Sequence, residues 1–126
     1  MSMNISSSGS FKNLDGWFSR MRRMNKLKEI LERYGVRGVD ALSNATPEDT
    51  GETANSWKYR VVVDKTGWNI EWYNTNVIDG RNIAILIQYG HATGTGGYVV
   101  GRNYINPAMQ PIFDEMAEEL WKEVTR

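Results

Sequence analysis

The chain reads as an α+β domain, an antiparallel sheet of three to four strands packed with N-terminal helices and a C-terminal helix. Three observations predict it. Apolar residues recur every three or four positions from Phe11 to Leu42, they alternate with polar ones from Trp57 to Trp72, and helical spacing returns after Asn106-Pro107. Residues 1–10 carry neither period and read as a flexible N-terminal arm, which leaves 11–126 as a single domain.

In the first helical segment Leu14, Trp17/Phe18, Met21, Met24, Leu27, Leu31 and Tyr34 fall on one face. Asn25, Gly35 and Gly38 weaken a continuous helix, so the spacing predicts a shorter helix followed by a longer one ending near Ala45. Pro47 is the stop, because the residue before a proline is pushed out of the α region. Trp57, Tyr59, Val61 and Val63 then alternate with Lys58, Arg60 and Val62, and the alternation resumes at Trp68, Ile70 and Trp72 after Asp64-Lys65-Thr66-Gly67. That is a β-hairpin with an aromatic face. The stretch 74–82, with Asp79-Gly80, carries turn chemistry.

The run from Ile83 to Tyr89 is apolar on both phases and fits a central strand covered on each side. Glycines at 90, 94, 96, 97 and 101 break any period in the next stretch, which predicts a mobile loop. Asn106 is placed to cap a last helix with Pro107 in its first turn, where a missing N–H costs nothing. Ile112/Phe113, Met116, Leu120/Trp121 and Val124 give that helix one apolar stripe.

Composition narrows the function. A chain of 126 residues with 40% hydrophobic residues and five tryptophans has enough bulk for one core. It has no cysteine, so disulfides, thiolate metal sites and cysteine nucleophiles are excluded. The start has no basic residue followed by an apolar run, and no stretch approaches the ~18 apolar residues of a membrane span, so a soluble protein is expected. Fifteen basic residues balance fifteen acidic ones, against a dedicated nucleic-acid or membrane-surface binder. Their distribution is uneven. Basic residues, among them Arg20, Arg22, Arg23, Lys26, Arg33 and Arg37, dominate the first helical segment, whereas Asp114, Glu115, Glu118, Glu119 and Glu123 dominate the last. Two solvated faces would explain this, as would attraction between the two ends within a subunit or across a subunit boundary. For the boundary the candidates are Arg20, Arg22, Arg23, Glu115, Glu118 and Glu119.

No catalytic, metal or cofactor-binding set emerges. Asp49-Thr50-Gly51 spells the aspartic-protease triplet, but it follows a polar helix end instead of the apolar strand that buries such a site. A turn in which Asp49 and Thr50 accept local hydrogen bonds is the better reading. The glycine-rich stretch lacks the Gly-Lys-Ser/Thr ending and the spacing of phosphate-binding loops. His91 is the only histidine, so no paired-imidazole metal site is possible.

Three segments, in order, resemble the tail-completion or head-tail joining (minor tail component) family of long-tailed double-stranded DNA bacteriophages and prophages. Pro47, Asp49, Thr50 and Gly51, followed by Ser56, look like its Ala-x-Pro-x-Asp-Thr-Gly-x-x-x-x-Ser signature. Ile87-Gln88-Tyr89-Gly90 is similar to its segment ending in an aromatic and a glycine, with Gln88 where an acidic residue is frequent. Ile105-Asn106-Pro107-Ala108 is similar to the opening of its last helix. The resemblance covers roughly Leu27 to the C-terminus. It implies a non-enzymatic virion protein of the neck or tail end, assembled in the bacterial host cytoplasm, without cofactor or membrane. Its implied partners are further copies in a ring, a hexamer by the symmetry of the tail tube, together with tail-tube, tail-terminator or head-connector proteins, and DNA passes through the lumen as cargo. The residues expected to dock are those of the glycine-rich loop, His91, Thr93, Thr95, Tyr98, Val99, Val100 and Arg102. The rival expectation is a nucleic-acid-binding phage accessory protein using the basic N-terminal helix.

Overall fold

Leu27, Ile30, Leu31, Tyr34 and Leu42 are buried along one side of a single helix, α1 (Leu14–Ala45). The computed structural model describes residues 2–5, 14–47, 51–64, 67–92 and 95–125. α1 runs through Asn25, Gly35 and Gly38 without the expected break. The two later glycines fall inside the buried stripe, at the steps between Leu31 and Leu42, and aromatic rings of the sheet lie directly over them. A methyl group at position 35 would overlap the Tyr59 ring, and one at 38 the Trp72 indole. Close approach, not helix termination, is what these glycines provide. The helix does stop at the expected place, where the Thr46 hydroxyl donates to the Leu42 carbonyl at 2.7 Å just before Pro47.

A short helix, α2 (Gly51–Ala54), leads into the expected hairpin, β2 (Trp57–Asp64) and β3 (Gly67–Asn74), antiparallel with Tyr59 opposite Trp72 and Val61 opposite Ile70. Its inner face buries Trp57, Trp68, Ile70 and Trp72, while Lys58, Arg60, Val62 and Tyr73 face outward. The third strand of the sheet is β1 (Ser2–Ile5), paired antiparallel to β3 with Met3 opposite Ile70, so the order is β1-β3-β2. These residues were expected to be a loose arm. Backbone pairing to an edge needs no apolar period, which is why composition gave no sign of it.

Three polar groups of the hairpin's aromatic side chains fasten it to α1 and to the residue that follows it. The Tyr59 hydroxyl donates to Glu32 at 2.6 Å, the Trp72 indole N–H to the Gly35 carbonyl at 3.0 Å, and the Trp57 indole N–H to the Thr46 hydroxyl at 2.9 Å. The last helix, α4 (Ile105–Val124), lies antiparallel along α1 and buries Ile105, Met109, Ile112, Met116 and Leu120. Phe113 meets Trp72 edge-on, 5.7 Å between centroids, which closes the core. Trp121, expected in the apolar stripe, is 68% exposed. Between β3 and α4 come a small hairpin, β4 (Val77–Ile78) and β5 (Arg81–Asn82), then α3 (Ile83–Tyr89) and a second hairpin, β6 (Gly90–Ala92) and β7 (Tyr98–Val100). Asp79 and Gly80 both have positive φ, 51° and 76°, which suits the tight two-residue turn of the β4–β5 hairpin.

Gly38→Ala separates the two roles a helical glycine can have. Alanine favours a helix by about 1 kcal/mol, yet here its methyl would displace the Trp72 indole, and overpacking costs about 1–3 kcal/mol. The variant is expected to unfold at lower urea concentration than the wild type. A midpoint equal to or above the wild type's would show that the indole is not fixed against the helix.

Candidate functional site

The segment from Ile83 to Tyr89 is helix α3, not the central strand expected from its two-phase apolar pattern. An unbroken apolar run fits either period; here the buried positions Ala84 and Gln88 are four apart, as are the exposed Ile85 and Tyr89. Gly90, at φ 79°, ends the helix, and its N–H bonds back to the Leu86 carbonyl. The chain then continues into β6, which pairs with β7 so that His91 faces Val99 and Ala92 faces Tyr98. The stretch expected to be a mobile loop is therefore a hairpin over much of its length.

This arrangement turns Gln88 into a capping residue. α4 starts at Ile105 with Tyr104 as its N-cap, and neither Tyr104 nor Asn106 supplies a side-chain cap. Instead the Gln88 Oε1 accepts the Tyr104 and Ile105 backbone N–H groups at 3.0 and 2.9 Å, while its Nε2 donates to Asn103 Oδ1 at 2.6 Å. A buried amide from a different helix satisfies the Ile105 N–H, which a helix start would otherwise leave unpaired, and shares the Tyr104 N–H with the Arg102 carbonyl at 2.9 Å. Close by, the Tyr104 hydroxyl donates to the Ala84 carbonyl at 2.8 Å. Burial pushes its phenol up to about 12.

The β6–β7 hairpin folds back over α3 and forms one wall of a cleft of about 280 Å³. Ile83, Leu86 and Ile87 of α3 line it with Val99, Val100, His91, Arg102 and Pro47. A second cleft, lined by Ile78, Asp79 and Arg81 of the small hairpin, adjoins it through Ile83, Leu86 and His91. Two segments singled out separately in the sequence, the turn at Pro47 and the glycine-rich stretch, thus meet on one surface. Of the expected docking residues, Tyr98, Val99, Val100, Thr95 and Arg102 are exposed and His91 is half-buried, its Nδ1 without a hydrogen-bond partner among the described residues. Thr93, Asp49 and Thr50 lie outside the described residues. Gly51 opens α2, and Ser56 ties that turn together by donating to the Glu52 carbonyl at 2.6 Å and accepting the Thr75 N–H at 3.0 Å.

The charge asymmetry finds part of its outlet inside the chain. Glu119 accepts from Arg33 at 3.0 Å and Glu115 from Arg37, bridging α4 to α1. The Tyr34 hydroxyl beside Glu119, helped by Arg33, holds that carboxyl below the usual carboxylate range, and Glu115 raises the Arg37 guanidinium. Glu115 and Glu119, candidates for contacts between subunits, are therefore engaged within their own. Glu118 pairs with Lys122 on its own helix at 3.3 Å, and Arg22 reaches only Ser19 among the described contacts. No group of three or more His, Asp or Glu side chains is placed to hold a metal ion among the described residues, and none of their helices is long and apolar enough to cross a membrane. No family model, no curated protein and no solved structure matches the chain.

Gln88→Ala should leave the buried Ile105 N–H unpaired, the Tyr104 N–H keeping the Arg102 carbonyl, and cost about 1–3 kcal/mol, whereas Gln88→Glu keeps the acceptor but loses the Nε2 donor to Asn103 and should fall between the alanine variant and the wild type. Urea unfolding checks both, and an alanine variant as stable as the wild type would remove the capping role. A second test uses pH. Because the folded-state phenol of Tyr104 is raised, its contribution to stability is complete below the ordinary tyrosine value of about 10 and is lost as pH rises from there. Tyr104→Phe should be about 1 kcal/mol less stable near neutrality, the usual value of one hydrogen bond, and should lose less stability than the wild type on going to strongly alkaline pH. Parallel pH profiles for the two chains would refute the assignment.

Proposed function

We propose that this chain is a structural subunit of a tailed-phage particle, a component of the ring that completes the tail or joins it to the head. The observation that carries the reading is the surface built by α3 and the β6–β7 hairpin. Tyr98, Val99 and Val100 all project from it into solvent, Val100 being 79% exposed, beside a cleft whose floor is apolar. Contiguous apolar surface of this kind marks a place where another protein settles. That surface includes two of the segments that carry the resemblance to tail-completion proteins, the Pro47 turn and Ile87-Gln88-Tyr89-Gly90, and the third, at Ile105, is held to them by Gln88. In this reading the chain works by assembly, with copies closing into a ring, six by the symmetry of the tube it meets, and DNA passing through the lumen.

The test is replacement of Ala92 to Val100 by a short Gly-Ser linker. Surface changes stay within ~1 kcal/mol, so the variant should melt close to the wild type. Light scattering and negative-stain imaging, with the chain alone and with isolated tail tubes, should show rings or capped tube ends for the wild type and neither for the variant. Rings formed equally by the variant would remove the docking role. Tight, strongly salt-dependent DNA binding by a free wild-type chain that never assembles would instead favour the basic-helix reading.

A further inference from the structure

Two surface features of opposite kind lie toward the two ends of α4. At its C-terminal end is Trp121, the largest apolar side chain in the exposed set. Its neighbour Leu120 occupies the core, so Trp121 is turned about 100° away from it around the helix. Asp114 lies seven residues earlier, on the same side, and Glu118 one turn earlier. At the other end, next to the start of α4, Leu86 and Ile83 floor the cleft under Val100, with Arg102 at its edge and Arg81 at the edge of the adjoining one.

We propose that Trp121 of one copy of this chain seats in the Leu86–Val100 cleft of a second copy, head to tail. The contact deepens the ring reading above and rests on it. Its parts are compatible in size, since a cleft of about 280 Å³ has room for an indole and Trp121 is 68% exposed within its own chain. They are complementary in charge as well. Asp79 offsets one arginine at the cleft and Lys122 partners Glu118, yet the balance stays basic around the cleft and acidic around Trp121.

Distance makes the contact intermolecular. From Ile105 to Trp121 the helix rises about 24 Å at its usual 1.5 Å per residue, so one copy cannot fill its own cleft. Two different patches meeting in this way make a heterologous interface, the kind that propagates from copy to copy and closes into a ring. A buried tryptophan flanked by opposite charges is also the residue type that dominates such interfaces.

Sedimentation of the full-length chain up to millimolar concentration tests the proposal with two surface variants, Trp121→Ala and Val100→Arg, both checked for an unchanged melting curve. Each alone should self-associate roughly tenfold or more weakly than the wild type, the effect of losing a central anchor. Mixed in equal amounts they should form a dimer, because the first still offers an intact cleft and the second an intact Trp121. Wild-type assembly matched by both single variants would overturn this contact and leave the ring reading standing. A defect in Val100→Arg alone would mean that the cleft takes a different occupant, and two defective variants that do not rescue one another would rule out the head-to-tail seat; either result overturns the proposal. A wild-type chain that is monomeric throughout would overturn this contact, and one that also fails to cap isolated tail tubes would overturn the ring reading with it.

Discussion

The Trp72 indole, set over Gly38 with its N–H on the Gly35 carbonyl, is the contact on which the rest of the structure depends. It brings the central strand of the sheet as close to α1 as backbone and ring allow. With β3 fixed there, its neighbour β2 places Tyr59 on Glu32 and Trp57 on Thr46, so the hairpin is held at two points on the helix and a third just past its end. Phe113 then packs edge-on against the same indole and sets the height at which α4 crosses. The indole N–H needs a partner once buried, and a helix carbonyl opposite a glycine is a partner reachable without displacing a side chain.

That dependence shows what the sequence makes legible and what it hides. The helical spacing of Leu27, Leu31 and Leu42 and the alternation from Trp57 to Trp72 reflect burial on one face, and burial on one face survives translation into structure. Gly35 and Gly38 do not, because their low helix propensity is a local property while their use is a long-range one, contact with residues 59 and 72. The same holds for Gln88. A glutamine in an apolar run looks like an interruption, and only the arrival of α4 makes it a cap. Ile83 to Tyr89 was ambiguous for a different reason, since a run without polar phase carries no period at all. Of the expected docking surface, the exposure of Tyr98, Val99 and Val100 was legible from the glycines around them, but the α3 floor beneath them was not.

Charge tells a related story. The chain is neutral overall, with an excess of basic residues in the first helical segment and of acidic ones in the last. The antiparallel packing of α1 and α4 brings part of each set together, Arg33 with Glu119 and Arg37 with Glu115. Such exposed pairs are worth only ~0–1 kcal/mol each. They serve better as register marks along two helices whose apolar stripes alone would tolerate a slip. Extending that register, α4 runs out near Lys26 of α1, where Lys26 and Glu123 line the same shallow groove.

Those facts bear on how a chain with so small a core can work by assembly. The interior uses Trp57, Tyr59, Trp68, Trp72 and Phe113 to fix one sheet between two helices, and many of the apolar side chains left outside fall on one part of the chain. Val77, Ile78, Ile85, Tyr89 and Tyr98 to Val100 are exposed on the segments between β3 and α4, while Trp121 stands at the far end of α4. Segments of this kind gain little from the fold that carries them, and so are free to vary with what they touch. α4 is the rigid spacer between them. Its buried stripe from Ile105 to Leu120 fixes where Trp121 points relative to the hairpin, so a substitution in that stripe that rotated the helix would change assembly without touching either surface.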